Sequence, residues 1–589
     1  MIDRRASIDR GLFNAMRDTL AHRGPDGYDS WFDEQHKVAL GHRRLSILDL
    51  SEAGRQPMTN EDGTLWLTFN GEIYNFGLLR EELLRRGHIF RSRTDSEVLL
   101  HGYEEWGGPG LLERLKGMFA FAIYDATRRE LFVARDRFGI KPLIYFHSED
   151  LFVFGSELKA VVRHPDVPRQ IRQEALADYF LYSFVPHPKT VYEGVLKLPP
   201  ATYLVVNADT GKTTTRRYWH AEPGYRKLSP SEVHEKAEDL LQTSVREHLV
   251  SDVPVGVFLS GGYDSSAILL HTRRAGVQPD SFSLGFADSE RSEHHAAGEI
   301  AAALGSRHHE KVLKRERDLF PLIEELVRQY DEPFAVSSQL TYYHVCELAA
   351  RTHKVVLSGD GGDELMAGYT WYARFWKERF WWRRWASAML GRRSLREQFL
   401  RAYSRSQTGI LRLLQKRSVE DPLNPDLRRL MEDRAFDYFD EHFGSVFQLI
   451  KSTQLLDIDT FLLDNSLQRA DLSSMMHSLE VRVPFLDHEL FEFLYSLHPS
   501  LYFDPDKNKK LIRRQLESQL PRSILDRPKH GFGFQHRDVL RSRPYMDFIN
   551  NGELRSRNII TAPVRGDRIT GEIAFHLIFL EQWFRTHVS

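Results

Sequence analysis

One short stretch constrains this chain more than any other. The apolar run Val255-Gly-Val-Phe-Leu259 leads into Ser260-Gly261-Gly262-Tyr263-Asp264-Ser265-Ser266, and a helix-like segment, Ala267 to Arg274, follows. A strand that turns through two glycines into a helix directs unpaired backbone N–H groups and the positive end of the helix dipole at one point, which suits an anion. The glycines let the backbone approach a phosphate closely. Ser260, Ser265 and Ser266 add hydroxyl donors, whereas Asp264 would repel a phosphate unless a cation lay between them. Mg²⁺ held by carboxylates together with phosphate oxygens resolves that conflict. The loop therefore predicts a magnesium nucleotide. It is not a Walker loop, because the half-match Gly211-Lys212-Thr213 has Val206 where the first glycine should stand. A plain Gly-Gly turn before a capped helix is the alternative, but Ser-Gly-Gly-x-Asp-Ser should arise by chance in on the order of one in a thousand chains of this length.

A second stretch repeats the pattern. Val355-Val-Leu357 precedes Ser358-Gly359-Asp360-Gly361-Gly362-Asp363-Glu364, which puts three acids and three glycines after an apolar run. Open α/β sheets bind ligands at the C-terminal ends of their strands. If both loops face one crevice, Asp264 and Asp363 can share the metal. The acidic turn lacks the twelve-residue ligand pattern of an EF-hand.

These loops lie in a chain of two characters. The first 205 residues carry short β-like runs, Trp66 to Phe69, Met118 to Tyr124, Glu130 to Ala134, Leu143 to Phe146 and Leu151 to Phe154, with a helical stretch near Leu78 to Arg86. Their apolar density predicts buried sheets in an α+β sandwich. Asn207 to Pro230 is polar and reads as a linker. From Ser231 onward strands alternate with more abundant helix, which predicts a parallel α/β sheet with a helical extension. The expected organisation is residues 1–206, a linker over 207–230, and residues 231–589.

Composition narrows the function. The 589 residues carry 80 Lys plus Arg against 82 Asp plus Glu, a net charge of −2. That balance gives no global reason to expect nucleic acid as a partner. The single cysteine, Cys346, excludes an intramolecular disulfide and a Cys-rich zinc site. The N-terminal residues lack the apolar core of a secretory signal, and no run of about 18 apolar residues occurs. A cytoplasmic enzyme is the default expectation.

In combination the motifs are specific. Ser260 to Ser266 resembles the pyrophosphate loop of ATP-pyrophosphatase enzymes, and its pairing with Ser358 to Glu364 resembles the synthetase domain of asparagine synthetases. Asp331-Glu-Pro-Phe334, Met476 to His488, Lys509-Lys-Leu-Ile-Arg513 and Arg527 to Phe532 extend the likeness. The resemblance implies an ATP-dependent carbon–nitrogen ligase that adenylates the β-carboxylate of aspartate, releases pyrophosphate and lets ammonia displace AMP. Ser260, Gly261, Gly262 and Ser265 would hold pyrophosphate, Ser358 and Gly359 would lie near adenosine, and Asp264 and Asp363 would ligate Mg²⁺. Lys509 would sit against the α-phosphate, offsetting charge as the pentacoordinate phosphorus forms. Asp360 is the candidate base for the attacking ammonium.

The N-terminal motifs His22 to Gly27, His42 to Ser46, Asn70 to Asn75, Thr94 to Glu97 and Ala134 to Pro142 resemble, in order, class II glutamine amidotransferases. That family folds as an αββα N-terminal-nucleophile sandwich. The likeness implies that Arg44 binds the glutamine carboxylate, Asp95 and Glu72 its α-amino group, and Asn70 with Gly71 the oxyanion. One departure is decisive for this activity. The family's nucleophile is a cysteine at the mature N-terminus, and this chain begins Met1-Ile2-Asp3-Arg4, which reads as neither a cysteine start nor a strand. Cys346 lies in a helix-like run of the second half and reads as an inert packed thiol. Retention of Arg44, Asn70, Gly71 and Asp95 favours a sequence truncated at its start over a degenerate glutaminase. As written, the chain is expected to use free ammonia and not to hydrolyse glutamine.

Other features bear on partners. Trp371, Trp376, Trp381, Trp382 and Trp385 are interleaved with Lys377, Arg379, Arg383 and Arg384. The segment 371–385 reads first as a packed helix with Arg stems over Trp faces, and second as a membrane-interface helix. His294-His295 and His308-His309 read as polar loops near the crevice, not metal ligands. A homodimer is admissible, although no residue pattern requires one. Val336 stands where asparagine synthetases commonly carry an aspartate, and Arg291-Ser292-Glu293 where Tyr-Asp-Glu is frequent. These departures keep open an amidotransferase of the same family acting on a sugar, peptide or other carboxylate; a non-catalytic scaffold is a third alternative, disfavoured because Asp264, Asp363 and Lys509 are retained.

Overall fold

The computed structural model describes the chain except for residues 6, 36, 288–293, 315–317, 378–402, 404–408, 417, 436, 444–448, 507–508, 528–536 and 589. Two antiparallel sheets of six strands form the N-terminal half. In spatial order the first comprises Val195–Lys197, Ile144–His147, Leu151–Gly155, Ile2–Asp3, Val38–Arg44 and Gly27–Asp33. The second comprises Thr213–Arg217, Thr202–Asn207, Glu130–Arg135, Gly117–Asp125, Leu65–Ile73 and Met58–Thr59.

The strand Gly117–Asp125 shows why the sequence reads as a continuous apolar run there. Phe119, Phe121 and Ile123 point to the helices Phe76–Arg85 and Glu97–Arg114, whose Leu79, Leu83, Leu99 and Leu112 meet them. Ala120, Ala122 and Tyr124 point the other way, to Ile2, Val38 and Leu40 of the facing sheet. Side chains alternate with period two, and here both faces are buried. Phe13 and Met16 of the helix Arg10–Asp18 cover the outer side of the first sheet. The layers are helix, sheet, sheet, helix, the αββα sandwich.

Two local expectations change. Ile2–Asp3 is a strand: Ile2 pairs with both Val38 and Phe152. Two residues are too few to display an alternation, so no pattern could announce it. The polar stretch from Asn207 also contains a strand, Thr213–Arg217, paired with Thr202–Asn207 as a hairpin. Most of its side chains are exposed, as an edge strand with one solvated neighbour permits, and that removes the apolar signal.

The C-terminal half is built on a parallel sheet in the order Arg307–Leu313, Asp280–Phe286, Val255–Phe258, Val355–Leu357, Glu480–Arg482. The chain runs outward in one direction from Val255–Phe258 and then returns to lie on its other side with Val355–Leu357. The strand order therefore reverses between these two neighbours, the point at which open sheets leave a crevice beyond their C-terminal ends. Helices Pro230–His248 and Tyr263–Arg274 pack on each other, and Ser338–Ala350 packs on Asp280–Phe286. Cys346 is fully buried in Ser338–Ala350, and burial pushes its thiol well above the usual range. His308 and His309 lie in the edge strand and not in a loop: His308 contacts the hydroxyls of Ser281 and Ser283, and His309 the carboxylate of Asp280.

Candidate active site

The two Gly-rich loops leave the C-terminal ends of adjacent strands, in register at Val257 and Leu357. They enclose one cleft of about 860 Å³. Gly359 lies hard against the first loop, so that a Cβ there would stand 2.9 Å from Asp264 Cβ and from the Ser265 backbone nitrogen. The first loop is braced internally. The Gly262 N–H faces Ser260 Oγ at 3.4 Å, Ser260 and Ser265 hydroxyls lie 3.2 Å apart, and Ser266 Oγ donates to the Gly262 carbonyl at 2.7 Å.

Lys509 reaches this point from the other side of the cleft. It caps the helix Lys510–Leu516 with left-handed backbone angles, and its buried ammonium lies against Asp264 and, at 2.8 Å, Asp363 Oδ1. Burial opposes the charge, but the two carboxylates outweigh it and hold the ammonium above the ordinary lysine range. Two carboxylates converging on one cation form a hard oxygen donor set, and this set fits Mg²⁺ bound jointly with phosphate.

Asp360 lies further along the same wall. Its Oδ2 accepts from Ser358 Oγ at 2.5 Å and faces the Tyr342 hydroxyl at 3.3 Å, while Oδ1 is 3.4 Å from Arg469 Nη2. Arg469 also donates to Ser338 Oγ at 2.8 Å and lies over the Tyr342 ring. Neither Tyr342 nor Arg469 was singled out from the sequence. Both sit in helical runs that offer no local signal. Val336 is buried and does not line the cleft, whereas Ser337 and Ser338 do.

A second cavity, about 180 Å³, opens within the N-terminal half and is lined by Arg44, Asn70, Gly71, Glu72 and Asp95 together with Met1. Asn70 Nδ2 is buried with no hydrogen-bond partner among the described residues. Gly71 has φ +148°, and a Cβ there would lie 2.0 Å from the Met118 carbonyl, so only glycine fits. Asp95 accepts from the Ile73 N–H at 2.8 Å and from Thr94 Oγ1 at 3.1 Å, and burial pushes its carboxyl up to about 6. The Arg44 guanidinium donates to the Ser51, Leu48 and Asp49 carbonyls. The Met1 amine donates to the Ala39 carbonyl at 2.8 Å, and burial pushes it down to about 5.

Glu72 lines the same cavity and also reaches into the other half. Its Oε1 lies 2.6 Å from Nη2 of Arg482, a fully buried side chain on the last strand of the parallel sheet. Arg482 also meets Glu480 at 2.8 Å and donates to the His248 and Val250 carbonyls, while its own carbonyl accepts from the Ser358 N–H at 2.8 Å. One residue thus touches the walls of both cavities. A signal existed: Glu480 and Arg482, at i and i+2 in a strand flanked by Leu479 and Val483, share one face.

A family model described as asparagine synthase matches residues 236–560, and one described as glutamine amidotransferase domain matches residues 3–219. The chain belongs to the asparagine synthase family. It is 35% identical over 538 residues to asparagine synthetase [glutamine-hydrolyzing] 1 of Bacillus subtilis (strain 168), covering 88% of this chain and 83% of that relative. Asparagine synthetase [glutamine-hydrolyzing] 3 of the same organism is 32% identical over 554 residues, covering 91% and 85%. Amidase chry2 of Gibberella zeae is 27% identical over 579 residues, covering 87% and 84%. Both Gly-rich loops, Lys509 and Arg482 fall inside the asparagine synthase match.

Asp331 and Glu332 bind the two halves together. Asp331 accepts from the Lys159 N–H at 2.8 Å, and Glu332 pairs with Lys197 at 2.7 Å. Trp371 is packed, donating to Asp457 at 3.1 Å and stacking on Tyr369. Residues 378–385 of the Trp-rich segment and 291–293 lie outside the described residues. No described helix is long and apolar enough to cross a membrane.

Proposed function

We propose that the larger cleft couples ATP cleavage to amidation of aspartate. The observation that carries the proposal is the convergence of Asp264, Asp363 and Lys509 where two Gly-rich loops meet at the strand-order reversal. The Ser260–Ser266 loop and the N-terminus of the helix Tyr263–Arg274 hold pyrophosphate through backbone N–H groups and the hydroxyls of Ser260 and Ser265. Ser358 and Gly359 border the adenosine. Asp264 and Asp363 would hold Mg²⁺, which when bound neutralises phosphate charge. A β-carboxylate oxygen of aspartate attacks the α-phosphorus, and pyrophosphate departs. Lys509 stabilises the charge on the pentacoordinate phosphorus. Asp360 attracts ammonium and accepts its proton; the freed ammonia attacks the acyl carbon, giving asparagine and AMP. The Arg469 guanidinium in the cleft wall supports an acceptor that carries a second carboxylate, as aspartate does.

We infer that ammonia is the nucleophile at the acyl carbon, taken up free by these 589 residues or released from glutamine where a cysteine nucleophile is present. Their only cysteine is buried in the other half, and no thiol lines the smaller cavity. The orphan Asn70 donor and Gly71 support an oxyanion site and Asp95 an amine contact, a pocket able to seat glutamine.

Pyrophosphate release with ATP, Mg²⁺, ammonium and free aspartate tests the reading. Release is expected with ammonium and not with glutamine alone. No release with aspartate, but release with another carboxylate, would move the chain to a different acceptor.

A further inference from the structure

The amidotransferase half carries a side-chain cluster that neither cavity uses. His88 follows the helix Phe76–Arg85, and His101 and Glu104 lie three residues apart on one face of the helix Glu97–Arg114. One nitrogen or oxygen from each falls within 4.8 Å of the other two. Glu104 Oε2 is 3.0 Å from His101 Nδ1 and 3.5 Å from His88 Nδ1. Four ligands bonded tetrahedrally to zinc at 2.0–2.1 Å lie roughly 3.3 Å from one another, so these spacings need little adjustment.

Carboxylates also lie near the ring nitrogens that face away from the cluster. His88 Nε2 lies 3.3 Å from Glu105 Oε2, and buried His101 Nε2 lies 3.8 Å from Glu97 Oε1. Asn60 Nδ2 donates to Glu104 Oε1 at 2.7 Å. Glu97 is itself fixed by the N–H groups of Arg91 and Ser92, each at 2.8 Å. The carboxylate behind His88 is the arrangement that orients a metal-bound histidine and raises its basicity, whereas His101 Nε2 has the Glu97 carboxylate near it without a hydrogen bond. A fourth oxygen is near: Glu61 Oε2, in the turn before Leu65–Ile73, is 4.0 Å from His101 Nδ1.

We propose that His88, His101 and Glu104 form a zinc site, with Glu61 the nearest donor for the fourth position. Two imidazoles with carboxylates favour zinc over Mg²⁺ or Ca²⁺, which take oxygen ligands. The ion would tie the turn at His88 and the loop at Glu61 to the helix Glu97–Arg114. It lies apart from the residues lining both cavities, so its role is structural.

The test uses the full chain, stripped of metal by a chelator and returned to excess Mg²⁺ so that oxygen-only sites are filled. Zinc bound per chain and the thermal midpoint are then measured during a Zn²⁺ titration. One zinc per chain and a raised midpoint are expected. His88→Gln and Glu104→Gln, at partly exposed and exposed positions, should each weaken binding at least tenfold and abolish the zinc-dependent shift, while their metal-free midpoints stay near the parent's. Unchanged zinc affinity in both variants, or no zinc binding by the parent chain, overturns the proposal.

Discussion

Lys509 stands in a backbone conformation that non-glycine residues seldom adopt, with φ +56°, at a cost of order 1 kcal/mol or more. The structure holds it there because its ammonium is the counter-ion of two carboxylates from two different loops. Asp95 is the corresponding residue of the smaller cavity, and it titrates in an accessible range. Its folded-state value of about 6 lies above the ordinary aspartate value of 3.8. The folded state therefore binds the proton more tightly than the unfolded chain, and this contribution to stability is full below 3.8 and is lost as pH rises through 6. Asp95→Asn keeps the shape and cannot titrate. Between pH 4 and 6 the parent should lose stability relative to the variant by at most about 1.4 kcal/mol per pH unit. Urea denaturation across that range measures it, and parallel curves for the two chains would contradict the assignment.

At the scale of elements, the reaction centre is a packing arrangement of two strand–loop–helix units. Gly359→Ala would push a methyl group into Asp264 Cβ and the Ser265 N–H. Separating the loops should cost about 1–3 kcal/mol, and the change falls where ATP phosphates are proposed to bind. The KM for ATP is expected to rise about tenfold or more, with the thermal midpoint of the free protein falling by a few degrees; steady-state pyrophosphate release measures this, and an unchanged KM would contradict it. These units were legible in the sequence because each is local: an apolar run, glycines and a helix lie within about twenty residues. Ile2–Asp3 was not legible, since its partners Val38 and Phe152 are distant and its length shows no period. Thr213–Arg217 was hidden for a different reason, being an edge strand with polar side chains on both faces. Tyr342 and Arg469 reach Asp360 from separate helices, and no spacing within either helix announces the meeting. The His88, His101 and Glu104 cluster was likewise invisible, because its ligands do not follow a fixed short motif.

Across the whole molecule, buried charge joins the halves. Arg482 bridges Glu72 and Glu480, Arg23 bridges Glu157 and Asp471, and Lys197 meets Glu332. Such pairs contribute little compared with apolar packing, yet removing one partner leaves a buried charge uncompensated at about 3–5 kcal/mol. Arg482→Met should therefore destabilise the chain by that amount in equilibrium denaturation, and a loss below about 1 kcal/mol would show that the two carboxylates find other partners. In the chemistry proposed for the larger cleft, a carboxylate oxygen attacks the α-phosphorus before nitrogen enters. Aspartate labelled with ¹⁸O in its β-carboxylate, incubated with the chain, ATP, Mg²⁺ and ammonium, tests this most directly by mass spectrometry of the products. One labelled oxygen in AMP and one retained in asparagine is the predicted result. Label in inorganic phosphate, or unlabelled AMP formed alongside asparagine, would contradict the acyl-adenylate route.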